Sequence, residues 1–332
     1  MFKIKLQLNI IEIIYFLLYL ISCRFKYKFL KLGVMKVLDE VLKGLMDRYK
    51  ERVHDVSKIT NALITNHIIT NQEDIENDHI AFRTMGVPNL GIASFEKIFL
   101  HFGYTAEDKY LFEKKKLNAR WYKPPNNKYP RIFISELNVS SFSENIQNII
   151  KSYTNEVISD PVDALNLNNS KEIDAYLHEA LWRLPTWEDY CLLKEESEYA
   201  AWVIYNRYYL NHYTITVDGL PEGYNSLVQF NTFVNSIGVE LSDAGGFIKT
   251  SSDGLLLQSS TISQLCEATF SEGDKHLIAG SYVEFAERKI LPKFKNLPIK
   301  EIKREHRREG FEASNADKIF ESTFSSQVDR KK

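Results

Sequence analysis

Apolar and polar side chains recur along this chain with two different periods, and the points where one period gives way to the other mark its elements. From Met35 to about Asn71 the apolar positions Leu38, Val41, Leu42, Leu45 and Met46 fall at helical spacing, predicting one or two leading helices. Residues 77–84, NDHIAFRT, alternate as a strand does, and 94–102, SFEKIFLHF, return to helical spacing with Ser94 placed to cap. Strand-like runs follow at 108–113, 117–122 and 131–137, with Pro124-Pro125 and Asn126-Asn127 breaking the chain before the last. The same order begins again about 133 residues later: a strand at 212–217, a helix at 224–237, strands at 246–250 and 254–260 joined by Ser-Ser-Asp-Gly, and a strand at 281–287. Residues 141–210 between them are helical in pattern, broken by Pro161 and Pro185. The aromatic stripe of that insertion reads as core, with a helical cover over a pocket as the alternative. An α+β architecture follows, in which two βαβββ modules, at about 75–140 and 211–290, form a cupped, barrel-like mixed sheet with leading helices and a helical insertion.

Composition narrows what such a fold could do. The chain has 332 residues, 44% of them hydrophobic, enough for a sizeable core. Its net charge is −2, but residues 1–34 carry six basic side chains and one acidic one, so the remainder stands at −7. A mildly acidic body lacks the basic stripe that nucleic acid requires, so no nucleic-acid partner is expected. Cys23, Cys191 and Cys266 are widely separated and form no CxxC pair, which suits a reducing, cytoplasmic setting. The apolar run from Leu6 to Cys23 reads as a mis-assigned start ahead of Met35, a signal or membrane anchor, or a structural helix; Gln7, Asn9 and Glu12 weaken the anchor. Residues 1–34 are therefore expected to be dispensable, with a membrane partner only if they are retained as an anchor. Residues 35–295 are expected to form a single catalytic domain, followed by a polar tail at 296–332 in which IKREHRREG is a solvated face.

Strand alternation places His79, Ala81 and Arg83 on one face, and His212, Thr214 and Thr216 on one face of the matching strand in the second module. Glu284 sits mid-strand between Val283 and Phe285, where a buried carboxylate needs a cation. Two imidazoles and a carboxylate from three strands make a facial triad that leaves open positions on a divalent metal, and iron and manganese both accept such ligands. The competing reading is a pair of satisfied strand histidines. Arg83 suits a bidentate grip on a substrate carboxylate, or else an ion pair with Glu136. The other six histidines have no partners at ligand spacing, and phosphate loops and GxSxG elbows are absent.

NDHIAFRT at 77–84, GYTAEDKYLFEKKKLNARWY at 103–122, PRIFISEL at 130–137, LPTWEDY at 184–190, LNHYTITV at 210–217, LLLQSST at 255–261 and GSYVEFAER at 280–288 resemble the 2-oxoadipate dioxygenase/decarboxylase family, also called hydroxyglutarate synthase. That family is similar to the vicinal oxygen chelate superfamily, whose modules are βαβββ. The resemblance, in order over roughly 36–295, implies an Fe(II) enzyme of lysine breakdown that takes a small 2-oxo acid, 2-oxoadipate, and dioxygen to 2-hydroxyglutarate and carbon dioxide. It implies His79, His212 and Glu284 as metal ligands, Arg83 as the essential substrate-binding and catalytic arginine, and Gln258 as a pocket residue. The alternatives are an oxygen-chelate enzyme acting on another 2-oxo acid, a glyoxalase-like isomerase, or a metal-free protein that sequesters a ligand.

Overall fold

A computed structural model describes residues 33–331 of the chain. The apolar run from Leu6 to Cys23 lies outside them; among the described residues no helix is long and apolar enough to cross a membrane. The leading helices are α1 at 33–52 and α2 at His54–Thr65. Leu38, Val41 and Leu45 of α1 are fully buried, and Leu42 and Met46 pack beside them, as their spacing requires.

Module one is β1 (Asn77–Met85), α3 (Ile92–His101), β2 (Thr105–Phe112), β3 (Leu117–Lys123) and β4 (Arg131–Leu137). The insertion contributes α4 (Glu144–Thr154), α5 (Ser170–His178), α6 (Trp187–Glu196) and α7 (Glu198–Asn206). Module two is β5 (His212–Thr216), α8 (Leu227–Ser236), β6 (Lys249–Thr250), β7 (Leu256–Ser260), a hairpin of β8 (Leu265–Thr269) and β9 (Lys275–Ala279), and β10 (Tyr282–Arg288). Two helices follow, α9 (Ala313–Phe320) and α10 (Ser325–Val328).

One eight-stranded sheet runs β2-β3-β4-β1-β5-β10-β7-β6. Each module pairs its first strand in parallel with its last, and the two first strands meet antiparallel at the centre. The expected duplication is therefore laid out as two halves about the β1–β5 seam, giving the mixed sheet of the predicted α+β fold. Phe82, on the outer face of β1, packs its ring on Phe95 and Phe99 of α3, which leaves His79, Ala81 and Arg83 for the other face. The Ser-Ser-Asp-Gly turn forms as read, with Gly254 at φ +69°.

Three elements differ from the sequence-based expectation. Helix α3 starts before Ser94, at Gly91, whose φ is +85° and whose missing Cβ leaves room for Glu136; that carboxylate accepts the Ile92 N–H at 2.8 Å and takes over the cap. Ser94 instead donates to Asp160 at 2.6 Å from within the helix. The β8–β9 hairpin is additional to the expected module and stands outside the large sheet. Finally, the segment after Pro292 is not a solvated tail. Arg307 pairs with Asp218 at 3.0 Å, Arg304 donates to the carbonyls of Asn127 and Tyr129, and Phe311, Ile319, Phe320 and Val328 are buried.

Candidate metal centre

Register brings three strands' polar residues to one point. Ala81 of β1 faces His212 of β5, and Thr214 of β5 lies level with Glu284 of β10. His79 Nε2 then stands 3.3 Å from His212 Nε2 and 3.6 Å from Glu284 Oε1, and His212 Nε2 stands 3.0 Å from Glu284 Oε2. One donor atom from each residue lies within 4.8 Å of the others, all three side chains are buried, and no other such group of three occurs among the described residues. Thr214 completes the cluster, its hydroxyl 3.1 Å from His79 Nε2.

The reverse sides of both imidazoles are occupied. His79 Nδ1 is 2.8 Å from Asp78 Oδ1, and His212 Nδ1 is 3.1 Å from Asn211 Oδ1. Glu284 Oε1 accepts from Gln258 Nε2 at 2.7 Å, and the Gln258 carbonyl accepts from Asn315 at 3.0 Å. Both Nε2 atoms and the carboxylate thus face each other, which fits a divalent first-row cation better than an apolar core would tolerate the same groups. Burial pushes the Glu284 carboxyl up, but the two imidazoles outweigh it and hold the group well below the usual carboxylate range. Burial likewise pushes both histidines down; Glu284 and Asp78 reverse this for His79, whereas His212 stays below its ordinary value.

Arg83 lies four residues beyond His79 on the same face and is 1% exposed. Among the described residues it makes no ion pair, and the expected alternative partner Glu136 is committed to the start of α3. Its Nη1 donates to Thr323 Oγ1 at 3.0 Å and its Nη2 to the Phe320 carbonyl at 3.1 Å; Nε has no acceptor. The rings of Tyr199 and Trp202, each 5.1 Å from its guanidinium carbon, form its walls. The aromatic stripe of the insertion is thus core and also flanks Arg83.

The cavity at the centre is lined by His79, His212, Gln258 and Glu284, with Phe133, Tyr282, Phe311, Ala316, Ile319 and Phe320 around them. Of the five site residues that sequence reasoning named, His79, His212, Gln258 and Glu284 line this cavity and Arg83 does not; the apolar cover was missed, because Phe311, Ile319 and Phe320 sit in a stretch dominated by charge. Sequence reasoning also missed Asp78, which strict alternation would turn away from His79.

The 2-oxoadipate dioxygenase/decarboxylase family model matches residues 41–300. The chain is 43% identical over 264 residues to the 2-oxoadipate dioxygenase/decarboxylase, chloroplastic/amyloplastic, of Oryza sativa subsp. japonica, covering 76% of this chain and 71% of the rice protein. A crystal structure of the Oryza sativa hydroxyglutarate synthase in complex with 2-oxoadipate matches with a TM-score of 0.82 at 39% identity, over 90% of this chain and 95% of that one. A proposed glyoxalase-superfamily protein from Ralstonia eutropha, with a TM-score of 0.64 and 19% identity, covers 82% of this chain and 85% of its own and shares the fold. With the family model spanning most of the chain and a relative above 40% identity, this chain belongs to the 2-oxoadipate dioxygenase/decarboxylase family.

Proposed function

We propose that the chain is a non-haem Fe(II) dioxygenase/decarboxylase that converts 2-oxoadipate and dioxygen to 2-hydroxyglutarate and carbon dioxide. The observation that supports it most is the convergence of His79, His212 and Glu284 on one buried point, with Arg83, which has no carboxylate partner among the described residues, four residues beyond His79 on the same strand. These three residues would hold the ion, and Fe(II) supplies there the one-electron chemistry that dioxygen requires.

The chain's own residues do the rest. Arg83 offers a buried guanidinium with only neutral acceptors and a free Nε, so a substrate carboxylate gains a charge-assisted pair that the resting protein does not contain. Gln258, expected to bind substrate, has its amide committed to Glu284 and Asn315; in our reading it orients the carboxylate. Phe133, Phe311, Ile319 and Phe320 keep water from the reacting carbons. The cavity measures only about 20 Å³, room for one water, so 2-oxoadipate enters when the cover formed by Phe311, Ile319 and Phe320 withdraws. We therefore extend the working domain from its expected end near residue 295 to Val328, and begin it at α1, where Val34 already packs against the core. The free thiols Cys191 and Cys266 suit a reducing interior such as the cytoplasm, whereas the rice relative is named chloroplastic/amyloplastic.

Anaerobic reconstitution of the whole chain with Fe(II), followed by 2-oxoadipate and air, tests the reading. One dioxygen should disappear for each carbon dioxide released; carbon dioxide release without oxygen uptake, or no turnover, overturns it.

A further inference from the structure

The internal repeat extends one residue further than the two histidines. Asp78 immediately precedes His79, and Asn211 immediately precedes His212. In an undistorted strand neighbouring side chains point to opposite faces. Here the β1–β5 register shifts between Asn77 and Ile80, a bulge that lets Asp78 turn towards the ring of the next residue, and Asn211 lies just ahead of the first residue of β5. Each side chain places an oxygen on Nδ1 of the histidine that follows, at 2.8 Å for Asp78 and 3.1 Å for Asn211.

Their own support is unequal. Asp78 is 1% exposed and receives Arg288 Nε and Nη2 at 2.5 and 2.9 Å and Arg131 Nη1 at 3.1 Å. Arg288 in turn donates to the carbonyls of Arg308 and Gly310, next to Phe311, whose ring meets His79 edge-on at 4.8 Å. Asn211 has no such clamp, and its Nδ2 has no acceptor.

We propose that Asp78 and Asn211 are positioning residues, each fixing the next histidine with its proton on Nδ1 and the Nε2 lone pair turned into the cup. Asp78 is the stronger of the two, because its carboxylate is itself held by two arginines. A carboxylate behind a ligand imidazole raises its basicity and locks its plane; an amide locks the plane alone. The proposal rests on the metal reading above, but the His79 tautomer belongs to the metal-free chain as well, because the Asp78 carboxylate stands at 2.8 Å from Nδ1 and Glu284 at 3.6 Å from Nε2, so the two ideas fail separately.

The full chain, labelled with ¹⁵N-histidine and freed of metal at pH 9, should show the His79 ring in the Nδ1–H form, whereas His212, whose Nε2 stands 3.0 Å from Glu284 Oε2, takes that form only when a metal displaces the proton it shares with Glu284. Asp78→Ala should return His79 towards the Nε2–H form that free imidazole prefers. Anaerobic Co(II) titration should show Asp78→Ala weakened by about 10- to 100-fold and Asn211→Ala by less. Should Asp78→Ala fail to fold, the Co(II) affinity of Asn211→Ala still decides, since it removes one amide that, among the described residues, bonds His212 alone. A wild-type His79 ring in the Nε2–H form, or Co(II) affinities of the folded variants within threefold of wild type, overturn the proposal. A wild-type chain that binds no Co(II) overturns the metal reading and leaves the His79 tautomer to decide this one.

Discussion

Counted from the histidine that each central strand carries, module one has Ala81, Arg83 and Met85 where module two has Thr214, Thr216 and Asp218. On the adjacent parallel strands, Phe133 of β4 occupies the register position that Glu284 holds on β10, since Ala81 pairs with Phe133 and Thr214 with Glu284. The duplicated frame thus supplies the two imidazoles, and divergence supplies everything else. One half lends the anion that faces them, the other half the cation that would receive substrate. Neither half holds a complete site, which explains why the seam between β1 and β5 is where the chemistry collects.

That division can be broken from either side. Replacing Glu284 with Gln should have the largest effect, with metal retention and oxygen uptake both falling to background, because a neutral amide leaves two imidazoles without their counter-charge. A variant that keeps metal and full oxygen uptake would sink the ligand assignment. Arg83→Thr gives module one the residue found at the matching place in module two. It should leave metal content unchanged while kcat/KM for 2-oxoadipate drops by roughly 30-fold to several thousandfold, the 2–5 kcal/mol expected for losing one partner of a buried charge pair. Parallel loss of metal would show that the two halves are not separable in this way.

The smallest effect concerns stability, where module two buries Asp218 at the place of apolar Met85. Burial pushes the Asp218 carboxyl up from 3.8 to about 6, against the pull of Arg307. Because the folded pKa lies above the unfolded one, its contribution is full below about pH 4 and is lost as pH rises through 6, on the order of 3 kcal/mol. Denaturant unfolding at pH 4.5 and pH 7 should show this decline in the wild type and a flatter profile in Asp218→Asn. An identical decline in the variant would place its origin elsewhere.

The strands that carry the site were legible because their alternation sets polar residues against an apolar face that has to pack on helices. Phe82 against α3 is the clearest case, and it obliges His79 and Arg83 to share the opposite side. The β8–β9 hairpin escaped because it is half-exposed, so its burial does not alternate cleanly. Asp78 was hidden by a bulge, which no period reveals. The C-terminal cover was hidden by its arginines, of which Arg304 and Arg307 donate to backbone carbonyls and Arg307 also pairs with Asp218.

Phe311, Ile319 and Phe320, which roof the cup, leave the ribosome after every strand beneath them. During synthesis the pocket is therefore an open bowl. A premature stop shortly after residue 300 would yield a chain with all its polar site residues intact but bathed in solvent, a lesion that inspection of those residues alone would never reveal.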